Sequence, residues 1–78
     1  MELTIDYCTD CGHSDKAIKT AEAAAQNYEE EFDQIVLVPA DDGVFRVSIE
    51  GHIIFDIDED SFEVGKIMER IDERLEEE

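Results

Sequence analysis

Two cysteines three positions apart, Cys8 and Cys11, constrain this chain of 78 residues more than any other feature. They are its only cysteines, and residues 2–8, which lead up to them, alternate in the manner of a half-buried strand. From His13 onward the apolar residues follow helical spacing. We therefore predict a strand, a turn and a helix, with Cys8 just ahead of the helix and Cys11 in its first turn. The unpaired N–H groups and the dipole of a helix N-terminus stabilise a thiolate, the species that attacks disulfides.

The rest of the chain predicts three further strands and a second helix. Residues 34–38 form a short apolar run typical of a strand, and residues 39–43 have the composition of a loop. Two alternating stretches on either side of Gly51 predict a β-hairpin. A two-residue Glu50-Gly51 loop would place Val47 opposite Ile54. A three-residue loop would instead place Phe45, Val47 and Ile49 opposite Ile57, Phe55 and Ile53. We predict this register, because it gathers six apolar side chains on one face.

A second helix is predicted over the last part of the chain. Asp60 and Glu63 have the spacing of a capping box, and residues 64–75 carry apolar side chains at helical intervals. The predicted order is therefore β-α-β-β-β-α. A strand–helix–strand unit is normally right-handed and parallel, and the final hairpin is antiparallel. We predict a single α/β domain over residues 1–78, in which a four-stranded mixed sheet carries both helices on one face.

Net charge limits the partners of the chain. The sequence has 23 acidic and 6 basic residues, for a formal charge of −17. Such a chain repels nucleic acids and anionic membranes, and we predict neither as a partner. The acids are spread along the sequence, which favours adaptation to high salt, where charge repulsion is screened within about 3 Å at 1 M. The open face of the sheet is predicted as a possible partner or dimer contact.

The N-terminus has neither the basic region nor the apolar stretch of a signal peptide, and no apolar run approaches the ~20 residues that span a bilayer. We therefore predict a cytoplasmic protein. In a reducing cytosol, a close cysteine pair is more often catalytic, redox-sensing or metal-binding than structural.

Several short blocks of the sequence resemble one known family. Tyr7-Cys8-Thr9-Asp10-Cys11-Gly12 resembles the Tyr-Cys-x-x-Cys-Gly of the selenoprotein W-like (Rdx) family. Residues 15–17, 36–39, 43–47 and 50–55 resemble further blocks of that family, in the same order. The resemblance implies a thioredoxin-like fold and thiol–disulfide redox activity. It also implies that Cys8 is the attacking thiol and Cys11 the resolving one, acting on a protein or small molecule that carries a thiol or disulfide.

Two other functions use the same residues. Cys8, Cys11 and His13, with His52 as a fourth ligand, offer the sulfur and nitrogen atoms that zinc prefers. Alternatively, the chain is a binding or adaptor module whose cysteines are not catalytic. The redox hypothesis, which we favour, requires no cofactor and no metal.

Overall fold

The computed structural model describes residues 1–77. Its elements are β1 (Glu2–Cys8), α1 (Ser14–Asn27), β2 (Gln34–Ala40), β3 (Phe45–Ile49), β4 (His52–Asp56) and α2 (Val64–Glu76). The predicted order is thus confirmed. Within these residues, neither helix has the length and apolar character needed to cross a membrane.

The four strands form one mixed sheet in the order β2-β1-β3-β4. β1 runs parallel to β2 and antiparallel to β3, and β3 runs antiparallel to β4. Helix α1 packs on β1 and β2, α2 packs on β4, and the two helices contact each other. Both helices therefore cover the same face, as predicted. β1 lies between β2 and β3, so Cys8, at the carboxyl end of β1, has a neighbouring strand on each side.

The core lies between this face of the sheet and the helices. In β1 and β3, the strand pleat directs every second side chain toward the helices, and these side chains are largely apolar. Burial of each large apolar side chain contributes about 1.5–3 kcal/mol. The buried apolar residues of the core are Leu3, Ile5, Ala17, Ala24, Phe32, Phe45, Val47, Ile49, Phe55, Ile67 and Ile71.

The hairpin turn has two residues, so the predicted three-residue loop is wrong. Ile49 pairs with His52, and the intervening Glu50 and Gly51 have φ of 51° and 83°. Two consecutive residues at positive φ are characteristic of the type I′ turn, whose twist matches that of the flanking strands. Glutamate is costly at such a position, and the longer loop was predicted because it aligned six apolar side chains on one face.

A β-bulge restores the predicted register beyond the turn. The pairing shifts between Val47 and Ser48, so that Val47 lies opposite Phe55, as predicted. The same shift places Ile53 opposite Ser48 and leaves it 59% exposed. Ile53 therefore does not join the core, contrary to the prediction. The extra residue of a bulge cannot be recognised from alternation alone.

Strand β2 extends through Pro39 and Ala40, which were predicted to lie in a loop. The Cys8 N–H donates to the Val44 carbonyl, on the β3 side, at 2.7 Å. Because the N–H and C=O groups of successive residues point to opposite sides of a strand, those of Tyr7 point toward β2. Pro39 pairs with Tyr7, so the backbone nitrogen of Pro39 lies on the outer side of β2, where the ladder needs no N–H donor. An outer strand accepts proline in this orientation without losing a ladder bond.

The predicted capping box of α2 does not form. Glu63 is the N-cap residue itself, and its side chain makes no capping hydrogen bond. Asp60 instead pairs with two cations of α2, Arg70 at 2.8 Å and Lys66 at 3.7 Å. These contacts hold the segment between β4 and α2 against the helix. Phe62, which contributes to the site described below, lies in this segment.

Tyr28 connects the two helices through hydrogen bonds, and we expect its ionisation to lower the stability of the fold at alkaline pH. Its hydroxyl has one proton to donate and shares it between two acceptors, the Met68 carbonyl oxygen at 3.0 Å and Asp72 Oδ1 at 2.7 Å. Burial and the Asp72 carboxylate raise the pKa of Tyr28 from 10.0 to about 12. Because the folded pKa is raised, this contribution to stability is complete below pH 10 and is lost as the pH rises through about 12.

Tyr28→Phe should therefore destabilise the fold by about 1 kcal/mol at neutral pH. The variant should also lose less stability than the native chain between neutral and strongly alkaline pH, as measured by urea unfolding. Tyr7→Phe, at the other tyrosine of the chain, is the control and should keep the native pH dependence. Parallel pH curves for the native chain and Tyr28→Phe would contradict the assignment.

Candidate functional site

The two cysteines are joined in a disulfide at the carboxyl end of the central strand. Cys8 is the last residue of β1, and Cys11 lies in the turn that follows. Their Cα atoms are 5.4 Å apart, a separation typical of bridged cysteines. The close pair predicted from the spacing is therefore brought together by the fold.

Cys11 lies ahead of α1 rather than in its first turn, which corrects the sequence prediction. Gly12 has a φ of 77°, a backbone conformation that glycine adopts without strain. The His13 N–H then donates back to the Cys8 carbonyl at 3.3 Å, and α1 begins at Ser14. The left-handed glycine thus closes a tight turn between the strand and the helix, so the two cysteines lie before the first helical turn.

The two halves of the disulfide differ in exposure. Cys8 is only 1% exposed, and its backbone is held on one side by Val44 and on the other by its pairing with Ala40. Cys11 is exposed on the turn. A partner that approaches from solvent therefore reaches Cys11.

Aromatic side chains from three parts of the chain surround this end of the core. The ring of Phe45 packs edge-on against His13 at 6.2 Å, Phe62 at 5.5 Å and Phe55 at 6.1 Å between centroids. The Lys16 ammonium lies 5.7 Å from the centre of the Phe62 ring. Phe45 and Phe62 were not predicted to belong to the site, because nothing in their spacing relates them to the cysteines.

The fold separates the four residues of the zinc alternative. His13 follows the cysteine turn, whereas His52 begins β4 next to the hairpin turn. That turn adjoins the start of β1, and Cys8 is at its end, so His52 lies at the opposite end of the sheet. Among residues 1–77, no group of three or more His, Cys, Asp or Glu side chains is arranged to hold a metal ion.

Two surface clefts of about 360 Å³ lie away from the disulfide. One runs between β4 and α2 and is lined by residues that include His52, Arg70 and Arg74. The other lies at the start of β1 and β2, next to Glu2 and Gln34. Neither cleft is lined by Cys8 or Cys11, so the exposed cysteine does not open into either of them.

A strand that ends in Cys-x-x-Cys, followed by a helix, within a mixed sheet covered on one face, defines a thioredoxin-like α/β protein. The model of the Rdx family matches residues 2–73 of the chain. The chain belongs to the Rdx family, which confirms the resemblance found in the short sequence blocks.

Solved structures share the fold. A crystal structure of a Bordetella parapertussis protein superposes with a TM-score of 0.85 at 25% identity, covering 94% of this chain and 95% of the other. A selenoprotein W-related protein from Vibrio cholerae superposes with a TM-score of 0.87 at 18% identity, covering 95% of each chain. No curated protein matches the sequence.

Proposed function

We propose that this protein is a thiol–disulfide oxidoreductase that acts through Cys8 and Cys11. The observation that carries the proposal is the arrangement of the pair, which closes as a disulfide with one buried and one exposed cysteine. A buried structural staple would shield both cysteines, whereas this arrangement leaves one accessible to a second molecule. Membership of the Rdx family supports the same chemistry.

The reaction transfers two electrons from the reduced pair to a substrate disulfide. A thiolate of the pair attacks one substrate sulfur, a mixed disulfide forms, and the first substrate thiolate leaves and takes up a proton. The second cysteine loses its proton and attacks the mixed disulfide. The Cys8–Cys11 bond then forms, and the second substrate thiolate leaves and is protonated. A thiol reductant restores the dithiol by the reverse exchange.

Exposure favours Cys11 as the attacking thiol and Cys8 as the resolving one. An attack on a second molecule requires an accessible sulfur, and Cys11 is exposed whereas Cys8 is 1% exposed. A buried sulfur is suited to the resolving step, in which both reacting groups belong to the protein. This order is the reverse of the one that the family resemblance implied.

The surroundings of Cys11 favour a substrate that docks on open surface. Neither of the two described clefts contains a cysteine, so a protein thiol or a small flexible disulfide fits better than a ligand that needs an enclosed cavity. The charge of −17 disfavours nucleic acids and anionic membranes. A cytoplasmic location belongs to this proposal, because a reducing compartment regenerates the dithiol.

Reaction with a small neutral disulfide tests the proposal. Reduced protein mixed with excess hydroxyethyl disulfide should release two thiols per chain and lose two hydrogen atoms in mass. The double variant Cys8→Ser/Cys11→Ser is the matched control and should release none. A native chain that stays reduced, or that stops with one substrate group attached, would contradict the proposed cycle.

We further propose that the protein is adapted to a salty environment, which predicts salt-dependent stability. The described cations are few, and several are already paired, as in Arg46–Asp56 and Arg70–Asp60. Most carboxylates therefore repel one another. Molar potassium chloride should screen this repulsion and stabilise the fold by at least about 1 kcal/mol, a rise in Tm of about 4–8 °C at this size. Sucrose at matched osmolality is the control, and equal effects of salt and sucrose would contradict charge screening.

A further inference from the structure

One buried polar atom in the segment that follows the cysteines has no hydrogen-bond partner among the residues that the structure describes. Nδ1 of His13 is buried, yet no group within residues 1–77 hydrogen-bonds to it. Buried polar atoms are normally satisfied, so an exception calls for a physical reason. His13 is also the N-cap residue of α1, and its side chain makes no capping bond to the helix. The imidazole therefore has no capping role that would explain its position.

Two contacts fix His13 on the turn that follows Cys8. The backbone N–H of His13 donates to the Cys8 carbonyl at 3.3 Å. The His13 ring packs edge-on against Phe45, with centroids 6.2 Å apart. Phe45 directly follows Val44, whose carbonyl accepts the Cys8 N–H at 2.7 Å. The backbone of His13 is thus hydrogen-bonded to Cys8, and its ring packs on the residue that follows the Cys8 partner Val44.

Because Cys8 is buried, its thiol requires a base within the protein to remove its proton, and the imidazole of His13 can serve as that base. In the resolving step, Cys8 must lose a proton before its sulfur can attack, and a residue that is 1% exposed has little access to water as a base. Imidazole is the side chain that most readily accepts and returns a proton near neutral pH. Its unpartnered Nδ1 is a hydrogen-bond acceptor when the proton resides on Nε2.

We propose that His13 is the proton acceptor of the resolving step, an inference that rests on the proposed redox function. Nδ1 takes the proton of the Cys8 thiol, and the freed electron pair of the Cys8 sulfur attacks the Cys11 sulfur of the mixed disulfide. The Cys8–Cys11 bond forms as the bond between Cys11 and the substrate sulfur breaks. The departing substrate thiolate accepts the proton held by His13, which returns the ring to its neutral state.

Dithiodipyridine, an uncharged disulfide whose leaving group absorbs light, separates the two steps. Mixing it with reduced protein in a stopped-flow instrument should give two phases, the first from attack by Cys11 and the second from resolution by Cys8. His13→Asn places an amide near the position of Nδ1, and His13→Gln places one near Nε2, but neither amide can accept the proton. His52→Gln, at the exposed histidine on the opposite end of the sheet, is the matched control.

Both His13 variants should slow the second phase at least about tenfold while changing the first less than about twofold. His52→Gln should change neither phase. An unchanged second phase in either His13 variant, equal slowing of both phases, or slowing of the first phase alone would overturn the role of His13. Release of a single leaving group by the native protein would overturn the redox cycle itself, so failure of the two proposals can be told apart.

Discussion

Cys8→Ser should convert the protein into a trap for its substrates. With Cys11 free to attack and no second thiol to resolve the product, a mixed disulfide should accumulate on Cys11 and survive until an external thiol cleaves it. Intramolecular attack by an aligned group is far faster than attack by a dilute external thiol. Release of the bound substrate half should therefore slow by roughly 100-fold or more. Intact mass measured after mixing with hydroxyethyl disulfide gives the result directly.

Cys11→Ser is the matched variant and should behave in the opposite way. It retains only Cys8, which is 1% exposed, so it should form little mixed disulfide and form it slowly. The two variants differ from each other only in which sulfur remains, and each keeps the strand and the glycine turn that position the site. Rapid trapping by Cys11→Ser together with none by Cys8→Ser would restore the order of attack implied by the family resemblance.

Phe45→Ala should produce the largest loss of stability among single substitutions near the site. Phe45 is fully buried, and its ring contacts three other rings, those of His13, Phe55 and Phe62. Truncating such a side chain costs about 3–5 kcal/mol, through lost burial and the cavity left behind. A chain of this size has a total stability of about 4–12 kcal/mol. We expect urea unfolding in molar potassium chloride to show a variant that has lost at least about a quarter of the native stability.

Phe62→Ala is the control for this prediction. Phe62 belongs to the same aromatic group but is only half-buried, so its truncation should cost about 1–2 kcal/mol. The comparison separates the loss of buried volume from the loss of one edge-on ring contact. Similar unfolding midpoints for the two variants would show that Phe45 does not hold this end of the core together.

Most of the fold could be predicted from the alternation of apolar residues in the strands and their spacing in the helices. The side chains of Leu3 and Ile5 in β1, and of Ile67 and Ile71 in α2, are buried as their periodicity predicted. The errors came from backbone features that periodicity does not report. The αL glutamate at Glu50 gave a tighter turn than expected, and a bulge next to Val47 then recovered the core register.

The cysteine pair was predicted from spacing alone, but its surroundings were not. The sequence does not reveal that the left-handed Gly12 moves Cys11 out of the helix, nor that Cys8 is buried at the end of a strand that lies between two others. Phe62 is 51 positions from Cys11 in the sequence. It reaches the aromatic group beside the site in a segment that Asp60 ties to α2. Such relations depend on tertiary packing, which local patterns do not encode.

The midpoint potential of the Cys8–Cys11 couple tests the central claim most directly. The protein would be equilibrated with dithiol–disulfide buffers in molar potassium chloride, and the reduced fraction measured by alkylation and mass. We expect a reversible two-electron transition between about −180 and −280 mV, the range of redox-active dithiol proteins. A potential below about −300 mV, as in structural disulfides, or failure of the reduced pair to reoxidise within one chain, would contradict the account.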